Sequence, residues 1–269
     1  MTPCPHHTRL SPPELPFFSG PGPRVLAHRG LPNGASENTL GAFRKALAAG
    51  ATYLELDVHG SRDGVAVVSH DPDLSRVAGL GSTVSSLTMD ELRAIDLGHG
   101  EGFVSLEEVL TTFPNARFNI DIKSADAVTP AAYAILLAGA SDRVLIASFN
   151  ERRRAAVARR LPGVATSASS PRVAVAILAA KVGIPALVAA ALRGMHAVQI
   201  PVRVRAMAIA TPRVIAAMHR AGVEVHIWTI NDRTEMERLL ELGVDGLVTD
   251  RADIAVEVVA ERLYPDARG

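Results

Sequence analysis

The sequence is poor in cysteine and has no excess of charge of either sign. Cys4 is the only cysteine among 269 residues, which excludes an intrachain disulfide. This scarcity is typical of proteins in a reducing compartment, so we expect a cytoplasmic location. The 28 Lys and Arg residues balance the 28 Asp and Glu residues. Because nucleic-acid surfaces normally carry a basic excess, we expect no nucleic-acid partner, and an anionic ligand would need a local binding site.

Aromatic residues and uninterrupted apolar runs are also scarce. Aromatics are 4% of the sequence although 48% of the residues are hydrophobic, so the core must consist mainly of Ala, Val, Leu and Ile. The most apolar stretch, 173–192, is interrupted by Lys181, Gly183 and Pro185, and we expect no stable membrane span. Two packed helices joined at the glycine and proline are the favoured interpretation. An apolar lid that touches lipid or a partner chain is the second interpretation.

The chain divides into a short tail and one long repeating region. Residues 1–23 contain prolines and histidines and lack the apolar core of a secretory signal, so we predict a flexible N-terminal tail. From Arg24 onward, eight short apolar runs are nearly all followed by helical patterns, which indicates parallel βαβ units. Polar residues recur just after nearly every predicted strand: His28, Asp57, Lys123, Asn150, Asn231 and Asp250.

The distribution of these polar residues distinguishes two α/β folds. A doubly wound sheet binds ligands where two or three strands meet, whereas the mouth of a barrel draws on many strand ends. No glycine-rich dinucleotide loop or Walker loop is present. The sequence therefore predicts a (β/α)₈ TIM barrel over residues 24–269, with a small insertion after the second strand at about 60–102.

The most informative stretch runs from Tyr53 to Asp71. Glu55 and Asp57 lie two apart in a predicted strand, so both carboxylates point to the same face. Two acids on one face repel each other unless a cation or a proton lies between them. His70 follows a second apolar run. A divalent metal beside a histidine is one interpretation of this stretch, and an acidic sheet rim with a solvated histidine is the other.

In a barrel, the ends of the first three long strands would bring more polar groups to this stretch. Glu55, Asp57 and Asp121 would form a set of hard oxygen ligands suited to Mg²⁺ or Ca²⁺ rather than zinc. Arg29 and Lys123 would add fixed positive charge, which favours an anion such as phosphate. Two histidines at the same site, His28 and His70, would supply a general acid and a general base near neutral pH.

A series of short motifs resembles the glycerophosphodiester phosphodiesterases, within the superfamily of phosphodiesterases similar to phosphatidylinositol-specific phospholipase C. Their order and spacing cover roughly residues 25–262. The motifs are HRG at 28–30, ENT at 37–39, ELDV at 55–58, RDG at 62–64, HD at 70–71, IDIK at 120–123, SFN at 148–150, WTIN at 228–231 and GVDGLVTD at 243–250.

The resemblance implies a barrel enzyme that hydrolyses glycerophosphodiesters to glycerol 3-phosphate and an alcohol. It implies that His28 and His70 are the catalytic pair, with His28 assigned as base and His70 as acid, or the reverse. The further roles it implies are a metal held by Glu55, Asp57 and Asp121, a phosphate bound by Arg29 and Lys123, support from Glu37, and packing of Trp228 on the glycerol group.

One position departs from the family pattern, and more than one function stays open. The family usually has Glu where Asp121 stands, so the shorter carboxylate would reach a metal less directly or through water. The substrate could be a lysophospholipid, with the stretch 173–192 as an apolar platform. A phosphate-binding barrel without catalysis and a metal-free mechanism also stay open. A homo-oligomer is possible, and Asp250 is a candidate cap of the last helix.

Overall fold

The computed structural model describes residues 15–264. Within that range the chain forms eleven strands. These are β1 (Arg24–His28), β2 (Tyr53–Gly60), β3 (Ala66–Val68), β4 (Arg117–Ile122), β5 (Val144–Ala147), β6 (Ala165–Thr166), β7 (Ala197–Pro201), β8 (Arg203–Val204), β9 (Met207–Ala208), β10 (Glu224–Trp228) and β11 (Gly246–Thr249).

The same range contains eleven α-helices. They are α1 (Leu40–Ala48), α2 (Ser75–Ala78), α3 (Met89–Arg93), α4 (Leu106–Thr112), α5 (Val128–Leu137), α6 (Glu151–Arg160), α7 (Ser170–Val182), α8 (Pro185–Leu192), α9 (Pro212–Arg220), α10 (Arg233–Glu241) and α11 (Ala252–Leu263). None of the helices in residues 15–264 is long and apolar enough to cross a membrane.

Eight of the strands form a nearly closed parallel barrel. Their order is β6-β5-β4-β2-β1-β11-β10-β7. A parallel bridge between Ser167 and Ala197 connects the two ends of this order. Helices lie between the strands along the chain, as parallel neighbours require a crossover connection. The predicted TIM barrel is confirmed.

The predicted pair of helices in the apolar stretch is also present. Helix α7 ends at Gly183, which has a φ of 81° and occupies the left-handed region that favours glycine. Pro185 starts α8 at its first position, where a proline loses no helical hydrogen bond. Gly183 and Pro185 therefore separate the two helices at the position that the sequence predicts.

The excursion between β2 and β4 has its own small core. Strand β3 pairs antiparallel with β2, so this strand does not join the parallel order of the barrel. Short helices α2 and α3 and a 3₁₀ turn at Val84–Ser86 complete the excursion. Its buried apolar side chains pack separately from the main core: Val67, Leu74, Val84, Met89, Leu92 and Phe103.

Part of the N-terminal segment that was predicted to be a flexible tail packs on the barrel. Residues 1–14 lie outside the described range, but Pro16–Phe18 form a 3₁₀ turn. Phe17 and Phe18 are only 1% and 9% exposed and pack against Tyr53 and other residues of the barrel interior. The proline content of this segment suggested mobility, and the apolar partners of the two phenylalanines were invisible in the sequence. The division into tail, barrel and insertion stays a prediction.

Candidate active site

Parallel strands end at the same edge of the barrel, and this edge collects the predicted polar residues. In β2 and β4, Glu55 lies beside Asn119 and Asp57 lies beside Asp121. All four side chains line one cavity of about 560 Å³, together with His28, Arg29, His70 and Lys123. The alternate residues Leu56 and Ile120 point into the hydrophobic core. The predicted alternation of faces in β2 is therefore confirmed.

Lys123 lies between two of the three carboxylates. Its Nζ is 2.9 Å from Oδ1 of Asp57 and 2.8 Å from Oδ2 of Asp121. Burial lowers the pKa of Lys123, but the charges of Asp57 and Asp121 outweigh it and the pKa lies above its ordinary value. The ammonium group stays charged, and it partly neutralises a pair of carboxylates that are almost fully buried.

The carboxyl groups of Glu55 and Asp121 hold protons more tightly than usual. Burial, followed by the charge of Asp57, raises the pKa of Glu55 to about 8. Burial also raises the pKa of Asp121, although Lys123 opposes the effect. Oδ1 of Asp121 is buried and has no hydrogen-bond partner among the described residues. The neighbouring cations therefore do not neutralise all the carboxyl groups of the cluster.

This donor set suits a divalent cation by its chemistry, although not by its present arrangement. Among the described residues, no group of three or more His, Cys, Asp or Glu side chains is arranged closely enough to hold a metal ion. Lys123 contacts both Asp57 and Asp121. Additional positive charge would favour the ionised forms of Glu55 and Asp121, and the free oxygen of Asp121 offers a hard ligand. The structure thus brings the three predicted ligands together at one cavity, with Lys123 in contact with two of them.

Arg29 and Glu37 form the second charged group of the site. Arg29 has a φ of 56°, which turns the chain sharply after β1. Its Nη1 donates to Glu37 over 3.1 Å and its Nε lies 3.3 Å from Oδ2 of Asp57. Although burial raises the pKa of Glu37, a hydrogen bond from Arg76 and the charge of Arg29 lower it overall. Glu37 therefore stays ionised and holds the Arg29 guanidinium in place.

His28 is held by a partner from the far end of the sequence. Its Nδ1 is 2.7 Å from Oδ1 of Asp250, and Oδ2 of Asp250 accepts a 2.7 Å hydrogen bond from Nδ2 of Asn231. Burial lowers the pKa of His28, but the hydrogen bond to Asp250 and the charge of Glu55 outweigh it and the pKa is raised. Nε2 lies 4.0 Å from Oε2 of Glu55, on the side of the carboxylate cluster.

The role expected for Asp250 as a helix cap is wrong. Helix α11 begins after Arg251, and no side chain of the described residues caps it. In the sequence, Asp250 follows the last strand and ends the GVDGLVTD motif, but nothing there indicates His28 as its partner. Its partner could have been found from the fold, because β11 neighbours β1 in a closed barrel.

The second histidine is oriented by its sequence neighbour. Nδ1 of His70 is 2.7 Å from Oδ1 of Asp71, which directs Nε2 away from that carboxylate. Asp71 is in turn held by Arg76. His70 lines the same cavity as His28, and its side chain is 33% exposed. Both predicted histidines therefore have a carboxylate on Nδ1, an arrangement that fixes a tautomer for proton transfer at Nε2.

An aromatic and apolar wall forms the opposite side of the cavity. Trp228 contacts Phe149 with ring centroids 6.0 Å apart, and Nζ of Lys123 lies 5.7 Å from the Phe149 ring. Phe149 was not singled out in the sequence, although it belongs to the SFN motif. The wall continues with apolar side chains from α7 and from the β8–β9 hairpin: Val173, Ile177, Leu178, Val204, Met207 and Ile209.

The fold and the site define a class of protein, a TIM barrel whose mouth carries two carboxylate-supported histidines beside buried acids and two cations. Residues 28–254 match the Glycerophosphoryl diester phosphodiesterase family. A protein of Mycobacterium tuberculosis named "Probable glycerophosphodiester phosphodiesterase 2" is 38% identical over 252 residues, which are 93% of this chain and 96% of that protein. The chain belongs to the glycerophosphodiester phosphodiesterase family, and it is a phosphoric diester hydrolase.

Solved structures agree with this assignment. A glycerophosphodiester phosphodiesterase from Agrobacterium tumefaciens shares 25% identity and superposes with a TM-score of 0.73, covering 88% of this chain and 99% of that one. An Oleispira antarctica phosphodiesterase, solved in complex with the product sn-glycerol-3-phosphate, has the same fold with a TM-score of 0.72 at 22% identity, covering 88% of this chain and 96% of that one.

Proposed function

We propose that this enzyme hydrolyses glycerophosphodiesters to glycerol 3-phosphate and an alcohol, with a divalent metal and with His28 and His70 as the acid–base pair. The observation that carries the proposal is the convergence of both histidines and three buried carboxylates on one cavity. The product bound to the Oleispira antarctica phosphodiesterase is in keeping with it.

In this mechanism the two histidines move protons at Nε2. His28 takes the proton of the glycerol 2-hydroxyl, whose oxygen attacks phosphorus while the bond to the alcohol breaks. His70 protonates the departing alcohol oxygen, which leaves a cyclic phosphate. Water then opens the ring with the two roles reversed, and glycerol 3-phosphate is released. Asp250 and Asp71 hold the two imidazoles through Nδ1.

Glu55, Asp57 and Asp121 would hold the metal, Mg²⁺ or Ca²⁺. When bound, the ion supplies positive charge that stabilises the phosphoryl oxygens as negative charge develops on them. Arg29 and Lys123 bind the phosphate, and Glu37 orients Arg29. Trp228 packs on the glycerol group at the edge of the aromatic wall. Asp121 is shorter than the Glu usual in the family, so a water between its carboxylate and the ion is expected.

The test is release of choline and glycerol 3-phosphate from glycerophosphocholine, measured with Mg²⁺, with Ca²⁺ and with a chelator. We expect turnover that the chelator abolishes and that one of the two ions restores. His28→Asn and His70→Asn should each lose roughly 10²-fold or more in kcat, a typical acid–base contribution. His99→Asn is the matched control, because His99 is exposed with a φ of 60°, a backbone conformation that Asn tolerates.

Three results would contradict parts of this proposal. Near-normal turnover by His70→Asn would remove this histidine from the mechanism. Full activity in chelator would favour a metal-free mechanism. Binding of glycerophosphocholine without turnover in any metal would favour a phosphate-binding barrel without catalysis.

The apolar wall favours a second candidate substrate, an acylated glycerophosphodiester such as a lysophospholipid. A polar diester alone leaves the side chains of α7 and the β8–β9 hairpin without a function, whereas an acyl chain would bury them. Comparison of kcat/KM for lysophosphatidylcholine and glycerophosphocholine separates the two candidates. A cytoplasmic location and a homo-oligomeric state also stay proposals, which fractionation and sedimentation velocity would test.

A further inference from the structure

The charges of this neutral protein are unevenly distributed along the chain. Residues 152–223 contain eleven arginines and one lysine and no Asp or Glu. The segment begins in α6, and it includes α7, α8, the β8–β9 hairpin and α9. This segment is therefore basic although the whole chain has no net charge, and two of its arginines, Arg154 and Arg172, pair with Glu151 just outside it.

Within this basic segment, α7 and α8 expose an apolar face. Val175, Leu178 and Val182 are 44%, 62% and 68% exposed, and their spacing places them on one side of α7. The face continues through the turn to Ile184 and Leu187, which are 47% and 43% exposed. Exposed apolar side chains in a contiguous group, unlike scattered ones, are typical of a surface that another partner covers.

The β8–β9 hairpin extends the same face to the mouth of the cavity. Val204 and Met207 are each 47% exposed and also line the cavity, as does Leu178. Nζ of Lys181 donates to the Ala208 carbonyl over 2.9 Å, which connects α7 to the hairpin. We call these side chains the mouth surface: Val175, Leu178, Val182, Ile184, Leu187, Val204 and Met207. It is continuous with the apolar wall inside the cavity.

The cations around the mouth surface have no acidic partners in the described part of the chain. Lys181, Arg203 and Arg213 donate their side-chain hydrogen bonds to backbone carbonyl groups. Arg213 contacts Ala180 of α7, and Arg203 lies in the hairpin itself. Their positive charges therefore remain available to a negatively charged partner.

We propose that the mouth surface docks on an anionic lipid bilayer, with its apolar side chains in the interfacial region and its cations against the lipid phosphates. Interfacial binding requires apolar side chains together with basic residues on one surface. A second copy of this chain fits less well, because an isologous contact would bring the same cations together. Docking would place the apolar wall of the cavity next to lipid. An acylated substrate could then enter directly from the bilayer, a consequence that rests on the proposed function.

The experiment is co-sedimentation of the full chain with vesicles of phosphatidylcholine, alone or with phosphatidylglycerol. We expect binding to the anionic vesicles that weakens as salt is raised. Val182→Asp combined with Leu187→Asp should lower the bound fraction about tenfold, because it places charge in the apolar face. The matched control is Leu136→Asp with Leu137→Asp, two side chains of α5 that are each 54% exposed.

Glycerophosphocholine turnover without vesicles is measured on the same samples. Val182 and Leu187 lie outside the cavity lining, so both double variants should keep the wild-type rate. If the wild-type protein does not turn over glycerophosphocholine, the proposed function is contradicted, but the conclusion from vesicle binding is unaffected. Three outcomes would overturn docking: wild-type protein that stays in the supernatant, equal loss of binding in the test and control variants, or a wild-type dimer that the test variant dissociates.

Discussion

Lys123 sets the charge balance of the site at the residue scale. It contacts Asp57 and Asp121, and burial then leaves Glu55 and Asp121 with raised pKa values. A metal bound by these acids would weaken their ion pairs with Lys123. Under the proposed function, the Lys123 ammonium would then be available to bind the phosphate. The sequence predicts that Lys123 lies near the acids, but it cannot predict the contact. Strand alternation shows which face a side chain is on, and it does not show how far a long side chain extends.

Gly30 permits the turn that places His28 and Arg29. It has a φ of +90°, and a Cβ at this position would lie 2.7 Å from the backbone carbon of Ala42. We expect Gly30→Ala to lower the free energy of unfolding by more than about 2 kcal/mol, from strain and overlap together. Urea denaturation measures this loss.

A second glycine with a similar φ separates backbone strain from steric overlap. Gly64 has a φ of +79°, but no atom of the described residues lies within 4 Å of an added Cβ, so Gly64→Ala carries strain alone. It should cost about 1 kcal/mol. Equal losses in the two variants would show that overlap with Ala42 contributes nothing.

Asp250 is a positioning residue for His28. Because the hydrogen bond that His28 donates to Asp250 helps raise the pKa of His28, we expect Asp250→Asn to lower that pKa. If His28 acts as the base, it must be neutral, so the acidic limb of the kcat/KM profile should move to lower pH. Histidine ¹H–¹³C NMR titration measures the same shift directly. Asp253→Asn, which removes the partner of Arg251 away from the cavity, should leave both measurements unchanged.

At the scale of elements, the alternation along a strand predicts which side chains share a face, and a closed barrel predicts which strands are neighbours. The period of two in β2 was enough to place Glu55 and Asp57 together, as the structure confirms. His28 and Asp250 are separated by 222 positions, and only the pairing of β1 with β11 brings them together. Phe17 and Phe18 could not be predicted to fold back, because their partners come from several strands.

Asn150 shows that a polar residue after a strand can serve the next helix. Its Oδ1 accepts hydrogen bonds from the amides of Arg152 and Arg153, which caps α6. We expect Asn150→Ala to lower the free energy of unfolding by about 1 kcal/mol. Asn150→Asp keeps the acceptor and should stay close to wild type in urea denaturation. A large loss of turnover in Asn150→Ala with unchanged stability would instead indicate a role in the site.

At the scale of the whole molecule, a buried ion pair connects the first and seventh strands of the barrel. The guanidinium of Arg24 in β1 donates two 2.8 Å hydrogen bonds to Glu224 in β10. Arg24 also donates to Tyr53 and to the carbonyl of Phe18. Removal of one partner of a buried pair leaves its counterpart's charge uncompensated, which costs far more than loss of a surface pair.

Glu224 should make stability depend on pH in the acidic range. Although burial raises its pKa, hydrogen bonds from His226 and Arg24 lower it from 4.5 to about 2. The folded protein therefore binds this proton less tightly than the unfolded chain. The resulting stability is fully present above about pH 4.5 and is lost as pH falls toward 2.

Glu224→Gln tests this dependence. We expect a loss of roughly 3 kcal/mol in the free energy of unfolding near neutral pH, and a smaller difference from wild type as pH falls below 4.5. Glu257→Gln removes an exposed partner of Arg233 and should cost less than about 0.5 kcal/mol. Urea denaturation across the pH range measures both, and a difference independent of pH would contradict the assignment.

The two phenylalanines at the base of the barrel also leave one accessible end. Phe17 and Phe18 fill the interior below Leu26, Leu145 and Ala197, while the catalytic cavity lies at the opposite end. In the part of the chain that the structure describes, exchange with the surroundings therefore takes place at the mouth. Under the proposed function, glycerol 3-phosphate would leave by the same opening through which the next diester enters, so product release would compete with substrate binding.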